Sequence, residues 1–320
     1  MHLLVVFTGG TIGSSETDGV LAAGAGGTRR LLQLYAQSPR ARAGVTFDTI
    51  EPVTTLSENM SVEKWNRLLA ALRAVDVTAY DGIIVTHGTD TLGYTAALLD
   101  WLWRGSPLPL WLVSAGPSLD DPASNGVPNF VQAVEGIADG TLGVWVAWQT
   151  AAGEQRRIPG YALRQCDLYT DEMQAAAGVI APAVPEQPRL YALPRPLQSV
   201  VLCVRPYPGI DYAAIQIPTA IQPGAAVKAV LHEGYHAATA PCEGVSSLPA
   251  FAARCRERGI AVYLAPVKPH APVYQSADEL RRAGVQSLSG MTFETAYARL
   301  VAAYSQPDPA RWLCENAPQS

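Results

Sequence analysis

Early in the chain a short, largely apolar run twice breaks abruptly into glycine and threonine. The first run, His2 to Phe7, leads into Thr8-Gly9-Gly10-Thr11-Ile12-Gly13; the second, Gly82 to Val85, leads into Thr86-His87-Gly88-Thr89-Asp90-Thr91. Runs of this length without polar alternation read as strands buried on both faces, which occur in parallel sheets covered by helices. In open sheets of that kind ligands bind beyond the carboxyl ends of the strands. Both glycine-threonine loops stand at such ends. Side by side they would offer two hydroxyls, a carboxylate and free backbone N–H groups to one small molecule.

The rest of the pattern agrees with this reading. From the start to about Gly178, strand candidates (His2–Phe7, 45–52, Gly82–Thr86, 110–114, 142–148) alternate with helix candidates (28–37, 61–74, 95–103, 129–138). Alternation at this spacing predicts an α/β fold with a larger, doubly wound parallel sheet in the N-terminal part. Ser61 precedes Val62-Glu63-Lys64 and is expected to cap its helix. Pro182, Pro185, Pro188, Pro194 and Pro196 then crowd a stretch without periodicity. Because proline fixes φ and removes donors, an extended linker is expected there. Alternation resumes at 199–205 and continues to 292–304, predicting a smaller C-terminal α/β domain. The expected division is 1–181, linker 182–198, and 199–320.

Composition limits the function. Of the residues, 48% are hydrophobic and only 16% charged, which indicates a compact globular chain. A net charge of −5, without a Lys/Arg run, provides no basic field for nucleic acid. The apolar start is too short for a signal peptide or membrane span, and the apolar segment Leu98 to Leu112 is interrupted by Asp100, Arg104, Gly105 and prolines. A cytoplasmic protein is expected. Five cysteines without ligand spacing read as reduced thiols.

The two threonine loops, Ser57-Glu58-Asn59-Met60 with Trp65, Val113-Ser114-Ala115, Tyr207-Pro208-Gly209-Ile210 and the stretch Met291 to Thr295 occur in one order along the chain. In these pieces the chain resembles the bacterial L-asparaginase/glutaminase family, nearer its type I (cytoplasmic) branch. The resemblance implies hydrolysis of a small amino-acid amide, L-asparagine first, through a threonine acyl-enzyme and without metal or organic cofactor. It implies Thr11 as nucleophile, with Thr89 and Asp90 assisting proton transfer. Gly10, Ser57, Glu58, Gly88 and Ala115 fall at substrate-binding positions, with Asp90 and Ser57 holding the α-amino and α-carboxylate ends. The Ala115 carbonyl would accept from the substrate amide, and backbone N–H groups near Thr11 and Thr89 would receive the oxyanion. A homodimer or homotetramer, its site completed by a neighbour's C-terminal domain, is implied as well.

The chain also departs from that pattern. Val20 stands where the family carries a lid tyrosine, and Asn59 replaces an aspartate. Glu58 adds a negative charge beside the expected carboxylate position, which favours a substrate that is neutral or positive at that end. No lysine lies between Lys64 and Lys228, so the family's catalytic lysine is missing. Arg156 and Arg157 lie in roughly its segment and could supply charge, but arginine does not exchange its proton usefully. The alanine- and glycine-rich segment 21–27 is expected to be a mobile flap. These departures leave two readings besides an ordinary asparaginase: a weak or retuned amidase, and a catalytically silent amino-acid-binding homologue.

A competing motif is His232-Glu233-Gly234-Tyr235-His236, which fits the zinc-peptidase pattern H-E-x-x-H. That chemistry needs both histidines on one helical face, whereas this segment reads as a strand end and loop. His87 is expected to be a buried, hydrogen-bonded histidine. Trp101, Trp103 and Trp111 are expected in packing.

Overall fold

The computed structural model describes residues 1–10, 12, 14–17, 20–23, 27–166, 169–222, 224–270 and 272–314. Thr11 and residues 24–26 of the expected flap lie outside them. The described chain falls into two compact units, Met1–Ala175 with Val184–Leu193, and Ala176–Ala183 with Pro194–Ser320.

In the first unit the elements run β1 (His2–Phe7), β2 (Ser14–Thr17), β3 (Val20–Ala23), α1 (Gly27–Gln37), β4 (Thr46–Ile50), α2 (Val62–Arg73), β5 (Gly82–Thr86), α3 (Leu92–Trp103), β6 (Leu110–Val113), α4 (Gly126–Ala138), β7 (Val144–Gln149), β8 (Gln155–Pro159) and α5 (Arg189–Ala192). The main sheet has strand order β4-β1-β5-β6-β7-β8; its pairs are parallel except β7 with β8. After β1 the chain moves outward to β4. It then crosses back over β1 to β5 and continues the opposite way to β6 and β7. The order therefore reverses between β1 and β5, the place where α/β sheets bind ligands.

Leu3, Val5 and Phe7 of β1 pack with Ile84 and Val113 against Leu31 and Tyr35 of α1 and Phe130, Val134 and Ile137 of α4. Leu4 and Val6 alternate with these residues and are equally buried, so the sheet is covered on both faces. Helix α3 is buried on nearly every side, as its run of leucine, alanine and tryptophan requires. Within it the Asp100 carboxylate takes Arg104 at 2.6 Å, with both side chains nearly excluded from solvent. Ser61 caps α2 as expected, its Oγ accepting from the Lys64 N–H at 3.3 Å.

Three features differ from the sequence expectation. The start of the expected flap belongs to an antiparallel hairpin, β2 with β3. The polar segment 155–159 forms an antiparallel edge strand, where charged side chains are well tolerated. The proline-rich stretch is not wholly extended. It contains the turn of helix α5, whose Arg189 guanidinium lies 3.9 Å from the centroid of the Trp101 ring.

The second unit carries β9 (Val201–Val204), β10 (Ala220–Gln222), β11 (Ala225–Ala226), β12 (Ala229–Glu233), α6 (Leu248–Glu257), β13 (Ala261–Val267), α7 (Gln275–Arg282), β14 (Gln286–Ser289), α8 (Phe293–Tyr304) and α9 (Pro309–Cys314). A parallel sheet, β14-β13-β12-β9, packs Val230, Val262 and Leu264 against Leu248, Phe251 and Leu280. Among the described residues no helix is long and apolar enough to cross a membrane.

Candidate active site

The loops after β1 and β5 meet through glycine backbone. Gly9 and Gly10 have φ of +91° and +81°, a region that L side chains rarely adopt. A Cβ on Gly10 would lie 2.3 Å from the Gly88 nitrogen, and one on Gly88 would lie 2.5 Å from Ser57 Oγ. Three chain segments that are distant in sequence are thus stacked in contact, Gly10 on Gly88 and Gly88 on Ser57. The stack is anchored beneath. The Gly10 N–H donates to the Thr55 carbonyl at 2.9 Å, the Thr55 N–H to the Thr8 carbonyl at 3.2 Å, and Thr8 Oγ1 to the Thr86 carbonyl at 2.7 Å.

Ser57 begins a short 3₁₀ turn, Ser57–Asn59, and is buried, whereas Glu58 and Asn59 are exposed. Its hydroxyl donates to Asp90 Oδ2 at 3.0 Å and accepts from the Asp90 N–H at 3.2 Å. Its carbonyl accepts from Thr91 Oγ1 at 2.8 Å. Asp90 itself is exposed and Thr89 half-buried, so this edge of the stack faces solvent. Helix α3 starts two residues after Asp90, which places the positive end of its dipole beside the carboxylate.

Ala115 follows β6, the strand next to β5, and is fully buried. Asparagines on either side hold its loop. Asn125 Oδ1 accepts from the Gly116 N–H at 3.0 Å, and Asn129 Nδ2 donates to the Ser114 carbonyl at 2.8 Å. Of the residues singled out in the sequence, Gly10, Ser57, Gly88, Thr89 and Asp90 come together here. Ala115 lies at the neighbouring strand end, and Glu58 is turned to the surface of the Ser57 turn. Thr11 is outside the described residues.

Sequence reasoning missed two side chains that support this region. Gln165 Nε2 donates to the Thr89 carbonyl at 3.1 Å. Lys64 Nζ donates to Thr55 Oγ1 at 2.7 Å and to the Asn59 carbonyl at 2.6 Å, tying α2 to the base of the Ser57 turn. Hydrophobic periodicity carries no signal for polar contacts of this kind; only the i, i+5 spacing of Asn59 and Lys64 was a local hint. The arginines expected to supply charge are engaged elsewhere. Arg156 pairs with Glu154 and Glu172, and Arg157 pairs with Asp139 and lies over Trp111.

His87 is fully buried, and its Nδ1 lies 2.8 Å from the Gly88 carbonyl. Burial lowers its imidazole to about pKa 4 against the opposing pull of that carbonyl and Asp90, so the ring is neutral near pH 7. It is not poised as an acid–base group.

The H-E-x-x-H segment ends strand β12 and enters a turn, so its histidines share no helical face. His232 Nε2 lies 2.7 Å from the buried Tyr212 hydroxyl, and His236 Nε2 lies 3.0 Å from Lys268 Nζ. Strand geometry thus removes the spacing that a zinc peptidase requires.

Comparison with known proteins agrees with this architecture. An L-asparaginase of Thermococcus kodakarensis is 35% identical over 150 residues, 46% of this chain and 44% of the relative. A glutamyl-tRNA(Gln) amidotransferase component from Pyrococcus horikoshii is 26% identical over 266 residues, 77% of this chain and 59% of the relative. The matched region therefore spans about half the length of these relatives. Among solved structures, the thermostable L-asparaginase of Thermococcus kodakarensis superposes with a TM-score of 0.75 at 24% identity, covering 98% of this chain and 95% of that one. L-asparaginase I of Vibrio cholerae gives 0.70 at 22% identity, covering 98% and 96%. The family described as Asparaginase, N-terminal, matches residues 2–168, a span that contains both threonine loops, Ser57 and Ala115; the chain belongs to the asparaginase family.

Proposed function

We propose that the chain hydrolyses the amide of a small amino acid, L-asparagine before L-glutamine, to the acid and ammonia. The observation that carries this reading is the stack of Gly10, Gly88 and Ser57 at the point where strand order reverses, with Ser57 and Asp90 hydrogen-bonded at its solvent edge. In the proposed reaction Thr11 Oγ attacks the amide carbon, and backbone N–H groups beside Thr11 and Thr89 take the oxyanion charge. The C–N bond breaks, ammonia leaves with a proton relayed through Thr89 and Asp90, and water hydrolyses the threonine ester. Ser57 and Asp90 hold the substrate's α-carboxylate and α-amino ends, Gly10, Glu58 and Gly88 shape that end, and the Ala115 carbonyl receives the amide N–H. Neither metal nor organic cofactor takes part.

We place the chain nearer the bacterial type I branch, in the cytoplasm, as a homodimer or homotetramer. The proposed domain limits are 1–181 and 199–320.

A second reading has its own support. The side chain that meets the Thr89 backbone is the amide of Gln165, which cannot accept and return a proton as a lysine amine can. A chain that keeps the pocket and lacks turnover would bind the amino acid only. Steady-state ammonia release from L-asparagine and L-glutamine separates the readings, with Thr89→Val as the inactive control. Turnover that the control abolishes supports hydrolysis. Thermal stabilisation by L-aspartate without ammonia release from either amide would replace it with the binding reading.

A further inference from the structure

The loop Gly88-Thr89-Asp90 is fixed peptide by peptide, and each fixing contact is different. The Gly88 backbone is held between Gly10 and Ser57, where a single added Cβ would overlap either neighbour. The Thr89 carbonyl receives Gln165 Nε2 at 3.1 Å and the Leu92 N–H at 3.4 Å. The Asp90 N–H is taken by Ser57 Oγ at 3.2 Å. The remaining peptide, between Gly88 and Thr89, is set by the residue before it: the fully buried His87 ring directs Nδ1 at the Gly88 carbonyl from 2.8 Å.

A carbonyl can only accept, so Nδ1 carries the ring proton and Nε2 is bare. The His87 ring is on the buried side, so the Gly88 carbonyl points inward. In a trans peptide the N–H runs opposite to the C=O. The Thr89 N–H is therefore directed away from the core, on the side where Thr89 is half-buried and Asp90 exposed.

We infer that His87 is a positioning residue: by binding the Gly88 carbonyl from inside, it aims the Thr89 N–H at the substrate's developing oxyanion. The inference rests on the hydrolase reading for what that N–H does, and on geometry alone for how it is aimed. It also accounts for an imidazole in the second loop that does not titrate near pH 7: a neutral ring with a fixed tautomer directs one hydrogen bond and adds no charge beneath the site.

The full-length protein tests this in two ways. Nitrogen NMR of the wild-type ring reads the tautomer directly, with Nδ1–H expected at pH 7; an Nε2–H ring would overturn the inference whatever the activity. His87→Asn keeps an amide donor at the place of Nδ1, whereas His87→Gln moves it to the place of Nε2. His87→Gln is expected to lose about 100-fold in kcat with KM changed less than about threefold, and His87→Asn to retain activity within about tenfold. Equal losses in the two variants, or a loss residing in KM, would overturn the positioning role. The Thr89 amide resonance is expected to shift in His87→Gln and to stay near its wild-type position in His87→Asn. If the wild type releases no ammonia while the tautomer and amide shifts appear as expected, the hydrolase reading fails and the hold on the peptide stands. If ammonia is released but the amide does not move, the reverse holds.

Discussion

Replacing Gly88 with alanine tests the stack on which the site is built. The added methyl would sit 2.5 Å from Ser57 Oγ, 2.7 Å from Ser57 Cβ and 3.1 Å from the Gly10 Cα. Ordinary contacts for such pairs are about 3.5 Å or more, so the nearest overlap is close to a full ångström. Ser57 cannot simply rotate aside. Its hydroxyl is bound twice to Asp90 and its carbonyl to Thr91, and on the opposite side Gly10 is bound to Thr55. Overpacking of this kind costs about 1–3 kcal/mol, and losing the Ser57–Asp90 hydrogen bonds adds about 1–2 kcal/mol. A melting scan should therefore show the first unit losing roughly 4–20 °C. Gly116→Ala is the matched control, because its Cβ would meet nothing closer than 4.0 Å and its φ lies outside the left-handed region. The control should melt within about 2 °C of wild type. In assays of ammonia release, Gly88→Ala should also raise KM, since Ser57 and Asp90 move together. A Gly88→Ala protein that melts with wild type and keeps its KM would refute the close stacking of the two loops.

Three further outcomes follow from the same geometry. His87 and His232 both have imidazoles lowered by burial to about pKa 4, from an ordinary 6.5. The unfolded chain therefore binds more protons than the folded one between pH 6.5 and 4, and stability falls as pH drops through that window, by about 3 kcal/mol per histidine at most. Denaturant titrations at pH 7, 5.5 and 4.5 check this, and His87→Asn should remove its share of the slope. Arg104→Met removes the guanidinium paired with the buried Asp100 carboxylate and should cost about 3–5 kcal/mol, read as a lower denaturation midpoint at unchanged m-value. Gln165→Lys puts an exchangeable amine beside Thr89 and should raise kcat about tenfold or more; an unchanged or lower kcat would show that proton transfer at Thr89 does not limit turnover.

How far the sequence reports the fold depends on the kind of signal each element carries. Strands β1 and β5 were legible to the residue because uninterrupted apolar runs have few alternatives and glycine ends them. The Ser61 cap was legible because capping is local. Helix α3 starts at Leu92, earlier than the expected 95, because burial on nearly all sides outweighs the cost of Gly93 near its start. Strands β8 and β14 were not legible: both are sheet edges written in polar residues, and edge strands need no apolar alternation. Helix α5 was hidden by flanking prolines, which mark a boundary without saying what lies between them.

The same distinction divides the site. Gly10, Gly88 and Ser57 touch through backbone and one hydroxyl, so each tolerates only the smallest residues while the other two stay in place. Such mutual constraint leaves a sequence signature, and the two glycine-threonine loops that meet here could be picked out from it. Gln165 and Lys64 reach the Thr89 loop and the base of the Ser57 turn, and Asn125 and Asn129 the neighbouring Ala115 loop, through polar side chains from elsewhere in the chain. These contacts lie outside the glycine stack and follow no hydrophobic period, so apart from the Asn59–Lys64 spacing nothing local marks them. In the proposed hydrolysis, a proton-transfer partner for Thr89 would be a side chain of this second kind. The glycine contacts therefore fix how the loops stack, while the side chain that meets the Thr89 carbonyl, here the amide of Gln165, is set by none of them.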